Sequence, residues 1–295
     1  MRLPVFILVA ALVPSPAQAW GFAAHRFIMG RAVALLPPGL EPFFASRRDE
    51  VVLRSVDPDL WRTVGWNDAP NHFLDFGVSE YGAYPFAALP RDYGEALERF
   101  GAATLERNGR LPWRLAEMFG QLRRAFAGVG GAVGGRAASA DDIVLLAAAA
   151  AHYLQDAHQP LHATDNFDGQ QTGQRGVHAR FETGLFERFG PRLTIRPAPP
   201  VPMTAPRDAA FDVLLESHRL AEPLLAADKA AMTGRQAYDD AYFEAFFSTA
   251  GPLLERRVNE AITATASLIA GAWEQAGRPA LPPGAPRRID PAPRR

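Results

Sequence analysis

The sequence predicts an all-α fold. Helix-forming residues dominate the 295-residue chain, alternating strand patterns are scarce, and apolar residues recur three and four positions apart in several segments. An apolar fraction of 48% is enough for a full core, and the length allows one or two domains. The formal net charge of −1 supplies no global field for collecting nucleic acid. An anionic substrate would therefore have to be attracted by local charge, including bound cations.

Residues 1–19 have the layout of a cleaved secretory signal. One basic residue precedes an apolar run from Leu3 to Val13, and the segment ends in an A-x-A cleavage site. An uncleaved anchor is the weaker interpretation, because this run is too short to span a bilayer. We therefore expect cleavage before Trp20 and a secreted or periplasmic protein without an integral membrane span.

The first helix of the mature chain is predicted directly after Trp20. Pro37 and Pro38 end it, and its apolar face includes Phe22, Met29, Ala32 and Leu36, with His25 on the same face. The next predicted element is an irregular loop from Ser55, rich in Asp, Pro and Trp. We expect this loop to bring polar side chains to one region, namely Asp57, Asp59, Asp68, His72 and Asp75.

The middle of the chain predicts three helices. A short one runs from about Pro90 to Phe100, and the second has an apolar face of Leu115, Met118, Leu122 and Phe126. A glycine-rich surface loop follows, without the strand or lysine of a phosphate-binding loop. The third helix begins at Ser139 or Ala140 and ends at Pro160. Its residues 143–151 are apolar on every side, so we expect it to run through the centre of the fold.

The C-terminal part predicts four further helices and a tail. One runs from about Val177 to Phe189, and six prolines in residues 191–207 indicate an extended crossing. Helices should resume over residues 208–226 and 239–247. The last is the clearest amphipathic element, with a core face of Leu254, Val258, Ala261, Thr265, Leu268 and Ala272. The Pro- and Arg-rich residues 278–295 predict disorder.

Histidines and acids at helical spacing indicate a metal site. His152 and Asp156 stand four positions apart, and so do His178 and Glu182, so each pair projects from one helix face. The chain has no cysteine, which leaves imidazole and carboxylate as the ligands for a metal. Ordinary surface pairs on helices are the alternative interpretation of this spacing.

The order of these residues resembles that of a known superfamily. The series is Trp20, His25, Asp57, His72, His152-x-x-x-Asp156, His162 and His178-x-x-x-Glu182. It is similar to the superfamily that joins bacterial zinc-dependent phospholipases C with single-strand-specific zinc nucleases. Those are secreted all-α enzymes whose mature chain starts with a metal-ligating tryptophan. The resemblance implies a single catalytic domain over residues 20–277, a multi-helix bundle with a trinuclear zinc site at a cleft, and a monomer.

Carried over to this chain, the resemblance implies three zinc ions. Two of them would be held as a close pair by the α-amino group and carbonyl of Trp20 and by His25, Asp57, His72 and His152, with Asp156 as a bridge. The third ion would be held by His162, His178 and Glu182. A peptide-bonded nitrogen has no lone pair to give, so signal cleavage would complete the site. Asp59 is the alternative to Asp57, which the family pattern also implies as the general base. His158 is expected to support the ligands or the fold rather than to bind metal, because Pro160 disturbs the helix just beyond it.

The branch of the superfamily is open from the sequence. The opening WGFAAH, the tract HQPLH and the sequence His72-Phe73 followed by Asp75 are similar to the nucleases. Glu182 and the tract HYLQDAHQPLHA are similar to the phospholipases, except at Gln155 and Asp165. We expect a phospholipase C-like hydrolase that cleaves the glycerol-phosphate bond of phospholipids. The alternatives are a nuclease that cleaves single-stranded nucleic acid to 5′-phosphates, a non-catalytic zinc- or phosphate-binding protein, and a helical periplasmic protein whose histidines are incidental.

Overall fold

Every regular element in residues 20–129 and 138–282, which the computed structural model describes, is helical. The all-α class is therefore confirmed. The N-terminal half contains α1 (Phe22–Val33), α2 (Glu41–Ser46), α3 (Arg48–Arg54), α4 (Asp57–Leu60), α5 (Tyr93–Phe100), α6 (Ala102–Asn108) and α7 (Leu111–Ala127). Short 3-10 turns cover Trp61–Val64, Ala69–Asn71 and Ser79–Tyr81.

The C-terminal half is built around three long helices. The elements are α8 (Ala140–Ala157), a 3-10 turn Pro160–Ala163, α9 (Val177–Ala179), a π-helical turn Arg180–Leu185, α10 (Phe186–Phe189), a 3-10 turn Gly190–Arg192, α11 (Pro206–Met232) and α12 (Asp240–Gln275). The expected extended crossing is present between α10 and α11. Its backbone is held along α12, for example by Thr194 N donating to Glu255 and Val201 N donating to Ser267.

Helix α8 lies at the centre of the fold. Ser139 caps its N-terminus, because the Ser139 side chain accepts from Asp142 N and the Asp142 carboxylate accepts from Ser139 N. Residues 147–157 are buried on every side, and α8 packs against α1, α3, α7, α11 and α12. The alanines in this stretch allow the neighbouring helices to approach closely. The central position predicted from the apolar run is therefore confirmed.

The structure differs from several expected boundaries. Helices α2, α3 and α6 carried no clear periodicity and were not predicted. The expected irregular loop after Ser55 contains α4 and two 3-10 turns. The prediction of separate helices before and after residue 250 is wrong, because α12 is continuous through Pro252. Proline removes one backbone hydrogen bond there, while Ala250 and Leu254 on either side are buried and hold both halves in line.

Three expectations fall on other parts of the chain. The signal segment, glycine-rich residues 130–137 and the tail from residue 283 lie outside the described residues. Within the two described ranges, no helix combines the length and the apolar character that crossing a membrane requires.

Candidate metal centre

Seven of the nine predicted ligands come together beside the C-terminal part of α8, where His152 and Asp156 lie. His25, His152 and Asp156 are fully buried, and His72, His162, His178 and Glu182 are at most 9% exposed. Their side chains form three groups whose possible ligand atoms lie within 4.8 Å of one another. The groups are His25–His152–Asp156, Asp59–His72–His152 and His162–His178–Glu182. These three buried clusters can hold metal ions.

The first group joins α1 to α8. His25 Nε2 lies 3.3 Å from Asp156 Oδ1, and the His25 and His152 rings stack with centroids 4.1 Å apart. Gln155 holds this arrangement, because its side-chain oxygen lies 2.6 Å from His25 Nδ1 and its backbone carbonyl accepts from the Trp20 indole at 2.8 Å. Trp20 is fully buried. The residue expected at the mature N-terminus is therefore packed next to the first group.

The second group joins α8 to the segment after α4. His72 Nδ1 lies 2.9 Å from Asp156 Oδ2 and 3.0 Å from His152 Nε2. Asp59 Oδ1 lies 3.8 Å from each of these two nitrogens. The two oxygens of Asp156 therefore face different groups, Oδ1 toward His25 and Oδ2 toward His72. This is the arrangement that a carboxylate bridging two metals needs.

The third group depends on the π-helical turn. His178 Nε2 lies 2.9 Å from Glu182 Oε2 and 3.1 Å from His162 Nε2. His162 Nε2 is 3.9 Å from the same carboxylate oxygen. The wider π turn places Glu182 on the side of His178, and such turns occur frequently at functional sites.

Hydrogen bonds fix the orientation of all five histidines. One ring nitrogen of each lies within hydrogen-bonding distance of an oxygen outside the groups: His25 with Gln155 Oε1, His72 with Asp68 Oδ2, His152 with Ser55 O, His162 with His72 O, and His178 with Phe167 O. If these nitrogens carry the protons of neutral rings, the other nitrogen of each ring presents a lone pair to its group. Metal-binding histidines are oriented in this way in proteins.

The spacing of the ligand atoms suits a small tetrahedral ion. An ion about 2.0–2.2 Å from each ligand requires ligand atoms about 3.3–3.6 Å apart. The three distances are 3.0, 3.8 and 3.8 Å in the second group and 2.9, 3.1 and 3.9 Å in the third. Facing lone pairs of neutral His162 and His178 would repel one another, and a cation between them removes the repulsion.

Seven buried side-chain polar atoms in the described residues lack a hydrogen-bond partner, and three of them belong to residues of the first or second group. These three are His25 Nε2, Asp59 Oδ2 and Asp156 Oδ1, and a bound cation would partner them. His25 Nε2 and Asp156 Oδ1 are close but not aligned for a hydrogen bond. Leaving buried donors or acceptors unpaired costs about 1–3 kcal/mol each. The residues present therefore fit bound metal ions.

Burial and neighbouring charges shift the pKa values within the first two groups. Burial disfavours the His72 imidazolium, but hydrogen bonds with Asp156 and Asp68 outweigh it and raise the pKa to about 10. Burial likewise opposes ionisation of Asp156, yet the charge on His152 and its hydrogen bond hold the pKa well below the ordinary value. Without metal, Asp156 is therefore an anion that neighbouring protons compensate.

In the third group, burial is the main cause of the pKa shifts of Glu182 and His162. Burial raises the pKa of Glu182 to about 7 even though His178 opposes that shift. Burial also lowers the pKa of His162 to about 3, so its imidazole is neutral at physiological pH. A neutral imidazole is the form that ligates metal.

The structure separates the two aspartates of the DPD sequence. Asp59 is 9% exposed and belongs to the second group. Asp57, which the resemblance implies as ligand and general base, belongs to none of the three groups. Its carboxylate instead pairs with Arg54, with Asp57 Oδ2 3.2 Å from Arg54 Nη1. Because α4 begins at Asp57, residues 57 and 59 project from different sides of this turn, and the side chain that reaches His72 and His152 is that of Asp59.

Several supporting residues were not predicted as functional. Asp68 accepts hydrogen bonds from Tyr153 Oη at 2.7 Å and from Asn71 Nδ2 at 2.8 Å, and it orients His72. The available signal was the spacing of four between Asp68 and His72. Gln155 appeared only as a departure from a family pattern. His158 joins none of the groups, because its Nδ1 lies 2.8 Å from Leu154 O one turn earlier.

A cleft opens from the second and third groups to the surface. It has a volume of about 220 Å³. Asp59, His72, His162 and His178 line its floor, together with the aromatic side chains of Phe73 and Phe167 and the guanidinium groups of Arg62 and Arg107. The cleft therefore combines candidate metal ligands, positive charge and apolar surface.

No protein-family model matches the chain, and a search of curated proteins found no match. The functional argument therefore depends on the chemistry of the site itself.

Proposed function

We propose that the three groups bind zinc and that the protein hydrolyses phosphodiesters. Nitrogen and oxygen ligands at tetrahedral spacing suit zinc. His25 and Trp20 would hold the first ion, Asp59, His72 and His152 the second, and His162, His178 and Glu182 the third. The two oxygens of Asp156 face the first and second groups, so Asp156 would contribute to both. His152 has one ring nitrogen facing the groups, so it would contribute to one of them.

The single observation that carries the proposal is the cleft. Four candidate metal ligands line the same cavity as two arginines, so a phosphate group bound there lies against the metal groups. Zinc ions held by these residues would supply Lewis-acid chemistry, which polarises a phosphoryl oxygen and activates water for attack at neutral pH. Arg62 would bind the phosphate anion, and Arg107, which also pairs with Glu80 at 3.1 Å, would add positive charge. Phe73, Leu161 and Phe167 would pack against the apolar part of the substrate. Three aspartates line the cleft, Asp59, Asp68 and Asp75, and Asp59 is the one that belongs to a metal group. We propose Asp59 as the carboxylate that accepts a proton during the reaction.

A phospholipase C-type reaction, which releases diacylglycerol, is our first choice of substrate class. Exposed apolar side chains accompany the cleft: Phe167 in its wall is 40% exposed, and Leu60 follows Asp59 directly and is 41% exposed. A lipid substrate needs such contacts as it leaves its bilayer.

A single-strand-specific nuclease is the second candidate. The observation that favours it is the pair Phe73 and Asp75, which line the cleft beside His72. An aromatic ring can stack on a base, and base stacking is sequence-tolerant.

Export belongs to the same proposal. We infer that cleavage before Trp20 frees the α-amino group, which then supplies a nitrogen ligand to the first ion. The indole of Trp20 supports this inference, because it is bound to the Gln155 carbonyl and the Gln155 side chain holds His25.

Hydrolysis assays on two substrates test the proposal. The zinc-loaded mature protein should release phosphocholine and diacylglycerol from phosphatidylcholine, and zinc removal by a chelator should abolish release. His162→Ala should lower both the zinc content and the turnover. The matched change His158→Ala should leave both unaltered, because His158 joins none of the groups. Hydrolysis of single-stranded DNA alone would establish the nuclease instead. Zinc binding without hydrolysis of either substrate would contradict both and leave a non-catalytic zinc-binding protein.

A further inference from the structure

An exposed tip lies beside the candidate metal cleft. The tip is residues 60–67, which run from Leu60 at the end of α4 through the 3-10 turn Trp61–Val64 to Asn67. Pro58 and Asp59 on one side of it and Asp68 and Ala69 on the other line the cleft, and Arg62 within the tip does so as well. The tip therefore stands at the cleft mouth.

The tip concentrates exposed apolar side chains. Among the described residues, ten large apolar side chains are markedly exposed, and three of them fall within these eight positions. They are Leu60 at 41%, Val64 at 69% and Trp66 at 61%. Single exposed apolar residues are normal on protein surfaces, whereas a cluster indicates an interaction surface. Phe167, which lines the cleft that the tip borders, is exposed at 40%.

The charge of the tip is positive. Arg62 is its only charged residue, and the segment contains no acidic residue. Arg62 makes no ion pair with any residue in the described ranges 20–129 and 138–282. A free guanidinium next to apolar side chains and an indole is the composition found at the interface between membrane and water.

Local contacts hold the tip in one conformation. Trp66 N donates to Trp61 O at 3.2 Å, and Gly65 N donates to Arg62 O at 3.1 Å. Gly65 has a φ of +86°, which a residue with a side chain adopts only with strain. The Trp61 and Trp66 rings meet edge to face with centroids 5.5 Å apart. These contacts restrain the backbone of the tip and the Trp66 ring, and such restraint lowers the entropy cost of docking.

We propose that this tip docks the protein on a phospholipid bilayer, with Val64 and Trp66 in the interface and Arg62 at the lipid phosphates. The inference rests on the proposed phospholipase function, since docking there brings the cleft to the headgroups. A nucleic acid fits the tip less well: a base-binding surface uses rows of aromatic rings and several cations, whereas the tip offers aliphatic Leu60 and Val64 and a single cation. Aliphatic side chains gain free energy at the acyl boundary of a bilayer.

Vesicle binding and monomer hydrolysis, measured separately, test the docking. Binding of the zinc-loaded protein is measured by sedimentation with vesicles of a phosphonate analogue of phosphatidylcholine, which cannot be hydrolysed, mixed with a minor fraction of phosphatidylglycerol. Hydrolysis is measured on dissolved short-chain phosphatidylcholine. The test variant combines Val64→Ser with Trp66→Ser, two side chains that do not line the cleft. The control is Val201→Ser, because Val201 is 75% exposed but lies on the extended crossing beside α12.

The expected result is a loss of vesicle partitioning by roughly tenfold or more in the double variant, from the lost transfer of two apolar side chains. Hydrolysis of the dissolved substrate should be unchanged, and Val201→Ser should behave as the natural protein. In the natural protein, Trp66 should become protected from iodide quenching when vesicles are added. This second measurement decides the case if the double variant does not fold.

Four outcomes would overturn the docking. Two concern vesicle partitioning: a folded double variant that partitions as the natural protein does, or an equal loss of partitioning in Val201→Ser. The other two are a lack of iodide protection in the natural protein, and a double variant that loses binding to single-stranded DNA but not to vesicles. Hydrolysis of the dissolved lipid without vesicle binding would refute the docking and leave the proposed function standing. Vesicle binding through the tip without hydrolysis of any lipid would refute the proposed function and support the docking.

Discussion

Replacing Asp59 by Asn should weaken zinc binding far more than replacing Asp57 by Asn. Asp59 Oδ1 lies 3.8 Å from both His72 Nδ1 and His152 Nε2, close to the edge of a zinc tetrahedron. Residues that only orient metal ligands contribute about 10- to 100-fold to metal affinity, so loss of a direct charged ligand should cost at least about 100-fold. A factor of 100 corresponds to about 2.8 kcal/mol of binding free energy.

The matched change at Asp57 should remove only an ion pair with Arg54. The two side chains are 26% and 33% exposed, and such a pair contributes at most about 1 kcal/mol to the free energy of unfolding. Both substitutions keep the size of the side chain, so both variants should fold.

Competition with a chromophoric chelator measures the affinity, and elemental analysis measures the zinc bound at saturation. The Asp59 variant should lose one ion or hold it about 100-fold more weakly, and its phosphodiesterase activity should fall in parallel. A larger loss of zinc in Asp57→Asn than in Asp59→Asn would refute our assignment of the second group.

Three further predictions concern the surroundings of the site. Asp68→Asn should weaken zinc binding by about 10- to 100-fold while the zinc still binds at saturation, because the carboxylate orients His72 without reaching the metal groups; isothermal titration checks this. One extra residue before Trp20 in the mature chain should reduce the zinc content and activity strongly, since it converts the free amine to an amide; full activity of the extended chain would contradict it. Asp75→Asn should stabilise the fold more at pH 8 than at pH 4, as measured by thermal unfolding.

The sign of the Asp75 effect follows from its raised pKa. Burial and the nearby Asp165 raise the pKa of this carboxyl group to about 8. An unfolded aspartate ionises near pH 4, so between pH 4 and pH 8 the folded chain holds a proton that the unfolded chain has released. Stability therefore falls as the pH rises through this range, and an amide removes the loss. Equal changes in the midpoint of unfolding at the two pH values would show that Asp75 titrates normally.

The sequence was sufficient for the main features of the fold. The apolar run within α8 predicted a central helix, and the spacing of His152 and Asp156 predicted a shared face, because helical period and burial are local properties. The helices expected separately over residues 239–247 and from Leu254 onward are one continuous helix, since buried residues on both sides of Pro252 compensate for the hydrogen bond that proline lacks. Helix α3 escaped prediction because its few buried positions give no long period.

In the metal groups, the sequence predicted pairs on one helical turn but not contacts between distant segments. The pairs His152–Asp156 and His178–Glu182 were found from their spacing of four. The choice between Asp57 and Asp59 instead depends on how one turn of α4 is oriented toward His72. The role of Gln155 could not be predicted from the sequence either, because it comes from contacts with Trp20 and His25, which lie 135 and 130 positions away in the chain. Such contacts exist only once the helices have packed.

The central position of α8 also has a consequence for the choice of ion. His152 and Asp156 project from a backbone that is buried on every side. The distances between the ligand atoms of the first two groups therefore cannot increase unless the core side chains move. Calcium prefers ligand distances of about 2.3–2.6 Å and six or more oxygens, and a close-packed helix with imidazole ligands cannot supply them. We therefore expect the helices packed against α8 to disfavour an ion larger than zinc, and replacing an alanine in the core of α8 by a larger residue should change which metal ion binds.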